Sequence, residues 1–136
     1  MTAPDPVAFF ERQFQRQIRD GDFALNPFEQ LALPHVAGSV LDLGCGLGNF
    51  SLEAARRGCT VTAVDASASA VERLPLQSQQ ADLASFRIEH DYDTVVAIGL
   101  LMFFRSGRAL ALLRQIGERV RPDGRAAVYF FFSRAR

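Results

Sequence analysis

Val40-Leu41-Asp42-Leu43-Gly44-Cys45-Gly46-Leu47-Gly48-Asn49 is the stretch on which the fold turns. Gly38 to Gly44 reads as a buried strand running into glycines, and Asn49 to Arg57 reads as a helix closed by Gly58. Strand, tight turn and helix together make a first βα unit. The glycine spacing selects the ligand. A dinucleotide fingerprint wants its third glycine at position 49, where this chain has Asn49, and a pyrophosphate would sit poorly beside Asp42. That argues against an anionic ligand, and so against a nicotinamide oxidoreductase. A ligand carrying an ammonium and a sulfonium is drawn to Asp42, and bare backbone at Gly44 and Gly46 lets it approach more closely than a Cβ would permit.

Downstream, the alternation repeats. Cys59 to Val64 is a second strand, β-branched at Thr60, Val61, Thr62 and Val64, and Asp65 ends it. A carboxylate there, about twenty residues beyond the turn, can accept both hydroxyls of a ribose. Ser69-Ala-Val-Glu72 supplies a capping box for a short helix stopped by Pro75. Gln77 to Leu83 is a weak third strand, Thr94 to Ile98 a strong fourth, and Ser106 to Val120 a helix with Leu110, Leu113, Ile116 and Val120 along one side. Pro122-Asp-Gly124 turns the chain into a fifth strand, Arg125 to Phe132. Such alternation implies a doubly wound, Rossmann-like α/β fold, with helices on both faces of a mostly parallel sheet and the ligand beyond the strands' carboxyl ends.

Upstream, Val7, Phe10, Phe14 and Ile18 recur at helical spacing from Pro6 to Ile18, and a short apolar segment from Phe28 to Leu33 is ended by Pro34. Residues 1–37 thus form an N-terminal helical cap or lid segment, and residues 38–136 the ligand-binding domain. Phe9, Phe10 and Phe14 suit a helix packed on the sheet, with a lid over the ligand as the alternative.

The composition is that of a globular chain: 49% hydrophobic and 22% charged, with zero net charge over 136 residues. All 15 basic residues are Arg, scattered without a dense block, which speaks against nucleic acid as a partner. No apolar run approaches the roughly twenty residues of a membrane span, no signal pattern opens the chain, and Cys45 and Cys59 form no paired motif. A cytoplasmic protein with no membrane partner is expected. His35 and His90 lack a second ligand at metal spacing, so no metal is expected. Cys45 fills space in the turn, and Arg105 and Arg108 suit solvent better than an anionic substrate.

In order, "VLDLGCGLGNF", "VTAVDAS", "QQADL", "YDTVVAIGLLMFF" and "VRPDGRAAVYF" resemble the successive motifs of class I S-adenosylmethionine-dependent methyltransferases, over Val40 to Phe130. The resemblance implies S-adenosylmethionine as cofactor. It implies that Gly44, Cys45, Gly46 and Gly48 line the methionine part, with Asp42 linked to the amino group and Asp65, followed by Ala66, on the ribose. Asp82 and Leu83 bracket the adenine, with Asp82 facing its exocyclic amine, and Ile98 and Gly99 lead into the reaction site. "LNPFEQLALPHV" looks like the small-molecule branch that includes tellurite-resistance methyltransferases.

No nucleophile or paired-acid constellation is visible, and direct in-line transfer from a sulfonium needs no catalytic residue of that kind. Ala97 to Phe104 is apolar and lacks the Asn/Asp-Pro-Pro-aromatic motif of amino-group DNA methyltransferases. A small acceptor held by Leu100, Leu101, Met102 and Phe103 is the preferred expectation, and an inactive binding or scaffold module the alternative. The family's sheet continues with a hairpin of sixth and seventh strands, whereas this chain stops at Arg136. The expectation is a sheet truncated after its fifth strand, or a homodimer covering that exposed edge.

Overall fold

The computed structural model describes residues 5–130. Two helices, α1 (Pro6–Asp20) and α2 (Pro27–Ala32), precede an alternation of β1 (Ser39–Leu43), α3 (Asn49–Arg56), β2 (Thr60–Asp65), α4 (Ala68–Glu72), β3 (Gln77–Gln80), β4 (Tyr92–Ile98), α5 (Ser106–Arg119) and β5 (Val120–Tyr129). The five strands are parallel, in the order β3-β2-β1-β4-β5. The strand order therefore reverses between β1 and β4, and their carboxyl ends flank a crevice.

Successive strand residues point to opposite faces, so each face has its own core. Val40 and Val96 pack with Phe50 and Ala54 of α3 and with Ala32 and Leu33 beside α2. Leu41, Leu43, Val95 and Ala97 pack instead against Leu112 and Ile116 of α5. Asp42 lies on the side of Val40 and thus faces α3. At the other end of the sheet, Asp93 ties β4 to β1: its Oδ2 accepts the Ser39 N–H at 2.9 Å, and its own N–H donates to Ser39 Oγ at 3.0 Å.

Several elements depart from the sequence expectations for local reasons. The cap of α4 is Ser67, whose hydroxyl accepts the Ala70 N–H at 3.2 Å, so the predicted cap Ser69 lies inside the helix. Pro34 does not stop the chain; it sits in a 3₁₀ turn, Leu33–His35, that extends α2, since proline costs nothing where no N–H is needed. The buried side of α5 carries Leu112 and Ile116, flanked by Ala109 and Leu113, while Leu110 is 53% exposed. Pro122, Asp123 and Gly124 do not precede β5 but lie within it as a bulge, where pairing jumps from Tyr92↔Val120 to Thr94↔Arg125. Asp123 has φ 68° there, and a Cβ on Gly124 would meet the Asp93 carbonyl at 2.6 Å. The predicted end of this strand at Phe131 and Phe132 lies outside the described residues.

Gly48 ends the turn at φ 83°, and a Cβ on it would lie 2.0 Å from Leu74 Cδ2, a side chain packed with Cys45 and Ala63. Gly48→Ala is expected to lower unfolding stability by about 2–4 kcal/mol through backbone strain and overpacking. In a Leu74→Ala background its additional cost, read by urea denaturation, should fall by about half or more.

Candidate functional site

The glycine turn hangs from the end of β2. Gly44 and Cys45 both donate their N–H groups to the Val64 carbonyl, at 2.8 and 3.1 Å, which folds the chain sharply away from β1. Gly44 and Gly46 hold φ at 73° and 56°, in the region that suits glycine. Asp65 then fastens the turn. Its Oδ2 accepts the Gly46 N–H and its Oδ1 the Ser67 N–H, each at 2.9 Å. Each carboxylate oxygen keeps further acceptor capacity. Burial pushes this carboxyl above the usual range, against the opposing pull of the two N–H groups.

A cavity of about 370 Å³ opens at this point, beyond the carboxyl ends of β1, β2 and β4. It is the crevice expected at the reversal of strand order. Its wall includes Asp42, Gly44, Cys45, Gly46, Asp65, Ala66, Asp82, Leu83, Ile98, Gly99, Leu100 and Phe103. Three other residues singled out from sequence do not line it. Gly48 faces Leu74, as described above. Leu101 is 2% exposed in the core against α5, because the 3₁₀ turn Leu101–Phe103 directs it inward and leaves Phe103 at the cavity. Met102 lies in the same turn, away from the wall.

Asp42 is the most buried of the acids, 4% exposed, and its Oδ2 accepts the Ser51 hydroxyl at 2.6 Å. Burial raises its pKa to about 7; the Ser51 bond opposes the shift, and the charges of Glu29 and Asp65 add to it. Cys45 is a packing residue: its thiol is buried, points at the Gly46 carbonyl, and is pushed upward by burial and by Asp42 and Asp65. Asp82 is exposed at the rim, where Oδ1 accepts the Ala84 N–H at 3.0 Å. His35, His90, Arg105 and Arg108 lie outside the wall; Arg108 instead donates to the Ala84 carbonyl at 2.9 Å. Among the described residues no group of three His, Cys, Asp or Glu is placed to hold a metal.

The N-terminal helix is the main departure. Its aromatic side does not pack on the sheet: α1 lies across the cavity, with Phe10, Gln13, Phe14 and Gln17 in the wall. Phe14 is buried against Leu47 and Ala70 and stands over the turn, where a Cβ on Gly46 would meet its ring at 3.3 Å. Phe10 makes an edge contact with Phe103 at a centroid distance of 5.1 Å. Glu11 accepts hydroxyl hydrogen bonds from Ser67 and Ser69, which hold its carboxyl below the usual range.

Two acids that sequence reasoning missed thereby join the site. Glu11 carries no local signal, since a lone acid on an amphipathic helix reads as a solvated side chain. Glu29 was marked by its Asn26-Pro-Phe-Glu29 capping box, which is present on both sides, at 2.8 and 3.0 Å, and which identifies a helix start rather than a ligand site.

The methyltransferase domain family matches residues 40–124, more than half of the chain. Hemagglutinin 1 of Eikenella corrodens is 33% identical over 93 residues, covering 62% of this chain and 31% of its own length. Carboxy-S-adenosyl-L-methionine synthase of Vibrio cholerae is 34% identical over 111 residues, covering 71% of this chain and 44% of its own. The chain thus spans less than half the length of these two curated relatives. Among solved structures, the N-methyltransferase NodS from Bradyrhizobium japonicum, in complex with S-adenosyl-L-homocysteine, shares the fold with a TM-score of 0.65 at 19% identity, covering 85% of this chain and 69% of that one. A parallel sheet ordered 3-2-1-4-5, a glycine turn fastened by the acid that ends the second strand, and the family match across both place this chain in the class I S-adenosylmethionine-dependent methyltransferase family.

Proposed function

We propose that the cavity binds S-adenosylmethionine and that the chain transfers its methyl group to a small-molecule acceptor. The observation that carries this reading is Asp65: a buried carboxylate fixed by two backbone N–H groups, with acceptor capacity left over, at the edge of a turn whose bare backbone leaves room for a ligand. The residues present fit the donor. Asp65 would accept its ribose hydroxyls, with Ala66 beside it, and Asp42 would take its ammonium. Gly44, Cys45 and Gly46 would border the methionine part, and Asp82 and Leu83 the adenine. Ile98 and Gly99 would lead toward the acceptor, which Leu100 and Phe103 border. Leu101 anchors that turn in the core behind it.

When bound, the donor supplies an electrophilic methyl on a sulfonium, so the protein's work is to bind, orient and exclude water. Helix α1 would perform the exclusion as a lid, Phe14 covering the turn and Glu11 clasping Ser67, the residue whose N–H holds Asp65. Cys45 and Cys59 are both free, which suits a reducing cytoplasm.

Asp65→Ala should weaken binding of S-adenosylhomocysteine by about tenfold or more, since hydrogen bonds to a charged group are lost. Undiminished affinity in calorimetry would reject the reading. Release of S-adenosylhomocysteine from donor and a panel of small acceptors separates an active enzyme from a binding module, which would take up donor without turnover.

Asp42 gives a pH signature with two opposite signs. Its pKa in the folded chain, about 7, lies above the ordinary carboxylate value, so the stability tied to its protonation is complete in acid and is lost as pH rises through 7. The ligand's ammonium prefers the ionised form. From pH 6 to pH 8 the free chain should lose stability while donor affinity rises, and Asp42→Asn should flatten both trends.

For the lid, Glu11→Ala should speed dissociation of S-adenosylhomocysteine by about threefold or more in a chase experiment, whereas Glu11→Gln, which retains acceptor capacity, should change it less. An unchanged rate in Glu11→Ala would assign α1 a structural part only.

A further inference from the structure

The cavity wall holds four carboxylates, Glu29, Asp42, Asp65 and Asp82, and no lysine, arginine or histidine among its described residues. Three of the four have a partner in the donor under the reading above. Glu29 does not. It stands on α2, which packs through Ala32 and Leu33 on the side of Val96 and through Phe28 on Tyr129, their rings stacked at 3.6 Å. The β4 and β5 end of the crevice is therefore where Glu29 stands, away from Asp65 and Asp82 at the β2 and β3 end.

Glu29 Oε1 accepts the Asn26 N–H, and Oε2 takes no hydrogen bond within the described residues. Burial raises this carboxyl, and its charge adds to the upward shift of Asp42. An acid pair of one buried and one partly buried carboxyl, with no basic side chain among the described residues of the wall, is relieved by a cation. The same wall also carries aromatic rings: Phe103, 42% exposed and in edge contact with Phe10, and Phe104. Carboxylate and aromatic rings together are the chemistry that receives an alkylammonium group.

We infer that the acceptor is a small amine bound as its ammonium, held by Glu29 against the aromatic wall of Phe10 and Phe103. This rests on the donor reading and extends it to the acceptor. The ammonium nitrogen would pass one proton to Glu29 Oε2, giving a neutral amine with its lone pair free and a carboxylic acid on Glu29; the raised affinity of a buried carboxyl for a proton favours that direction. An anionic acceptor would meet Glu29 as a like charge, with no lysine, arginine or histidine among the described residues of the wall to receive it.

The test uses the whole chain saturated with S-adenosylhomocysteine and three probes of one shape, namely benzylamine, benzyl alcohol and benzoate, titrated by NMR. Benzylamine should bind about tenfold tighter than benzyl alcohol, with benzoate weakest. Glu29→Gln keeps the capping box, because Gln serves at that position, so the fold is retained. It should reduce benzylamine affinity about tenfold and leave that of S-adenosylhomocysteine within about twofold. Equal binding of the three probes, or stronger binding of benzoate, overturns the amine assignment, and this comparison needs no variant. Loss of S-adenosylhomocysteine affinity in Glu29→Gln overturns it as well, by giving Glu29 to the donor's own ammonium. Failure of the wild-type chain to bind S-adenosylhomocysteine overturns instead the donor reading on which the inference stands.

Discussion

The carboxylate of Asp65, gripping the N–H groups of Gly46 and Ser67, is the constraint from which the site is built. One hydrogen bond fixes the glycine turn after β1; the other fixes the start of α4 after β2. A single side chain thereby sets the distance between two loops that come from different strands. Its grip reaches further through Ser67, whose hydroxyl both caps α4 and meets Glu11 of α1. Turn, Asp65, short helix and N-terminal helix form one connected polar path. Loosening any part of it would displace the acid that fastens the glycine turn.

The cost of this arrangement is electrostatic. Asp42 and Asp65 both lose water, Asp42 also meets the charges of Glu29 and Asp65, and the raised proton affinities of all three acids express that unfavourable field. Among the described residues no arginine enters the cavity wall to offset it, although 15 are present in the chain. The chain's neutrality on average thus conceals a cavity of one sign. A ligand of net positive charge supplies what the protein leaves out, so binding and folding stability are coupled through the same carboxylates.

How much of this was legible in the sequence depended on the range of the interaction involved. The β1 strand and its turn, the acid ending β2 and the apolar β4 are each written in a few consecutive residues, and their order follows from alternation and the rules of parallel sheets. Phase and caps were harder. Ser67 and Ser69 offer the same hydroxyl two residues apart and both meet Glu11, so only the helix's start at Ala68 decides that the first is the cap. Leu110 fits the helical stripe of α5 as well as Leu112 does, but the direction from which β4 and β5 approach buries the latter. Gly48 looked like part of a ligand cradle because glycines recur at alternate positions; its reason is Leu74, twenty-six residues on in the chain and adjacent in space. Glu11 and Glu29 became site residues only once two helices folded across the crevice, which no local pattern announces.

The clasp between Ser39 and Asp93 joins residues 54 positions apart, and it lies where β1 meets a neighbour made long after it. During synthesis β1 acquires β2 early, yet its other edge and half of its apolar surface stay open until β4 has left the ribosome. Long-range parallel pairing of this sort is slow and leaves sticky intermediates. Nascent chains stalled before Asp93 would leave Leu41 and Leu43 without the β4 and α5 residues that bury them, open to whatever binds hydrophobic segments.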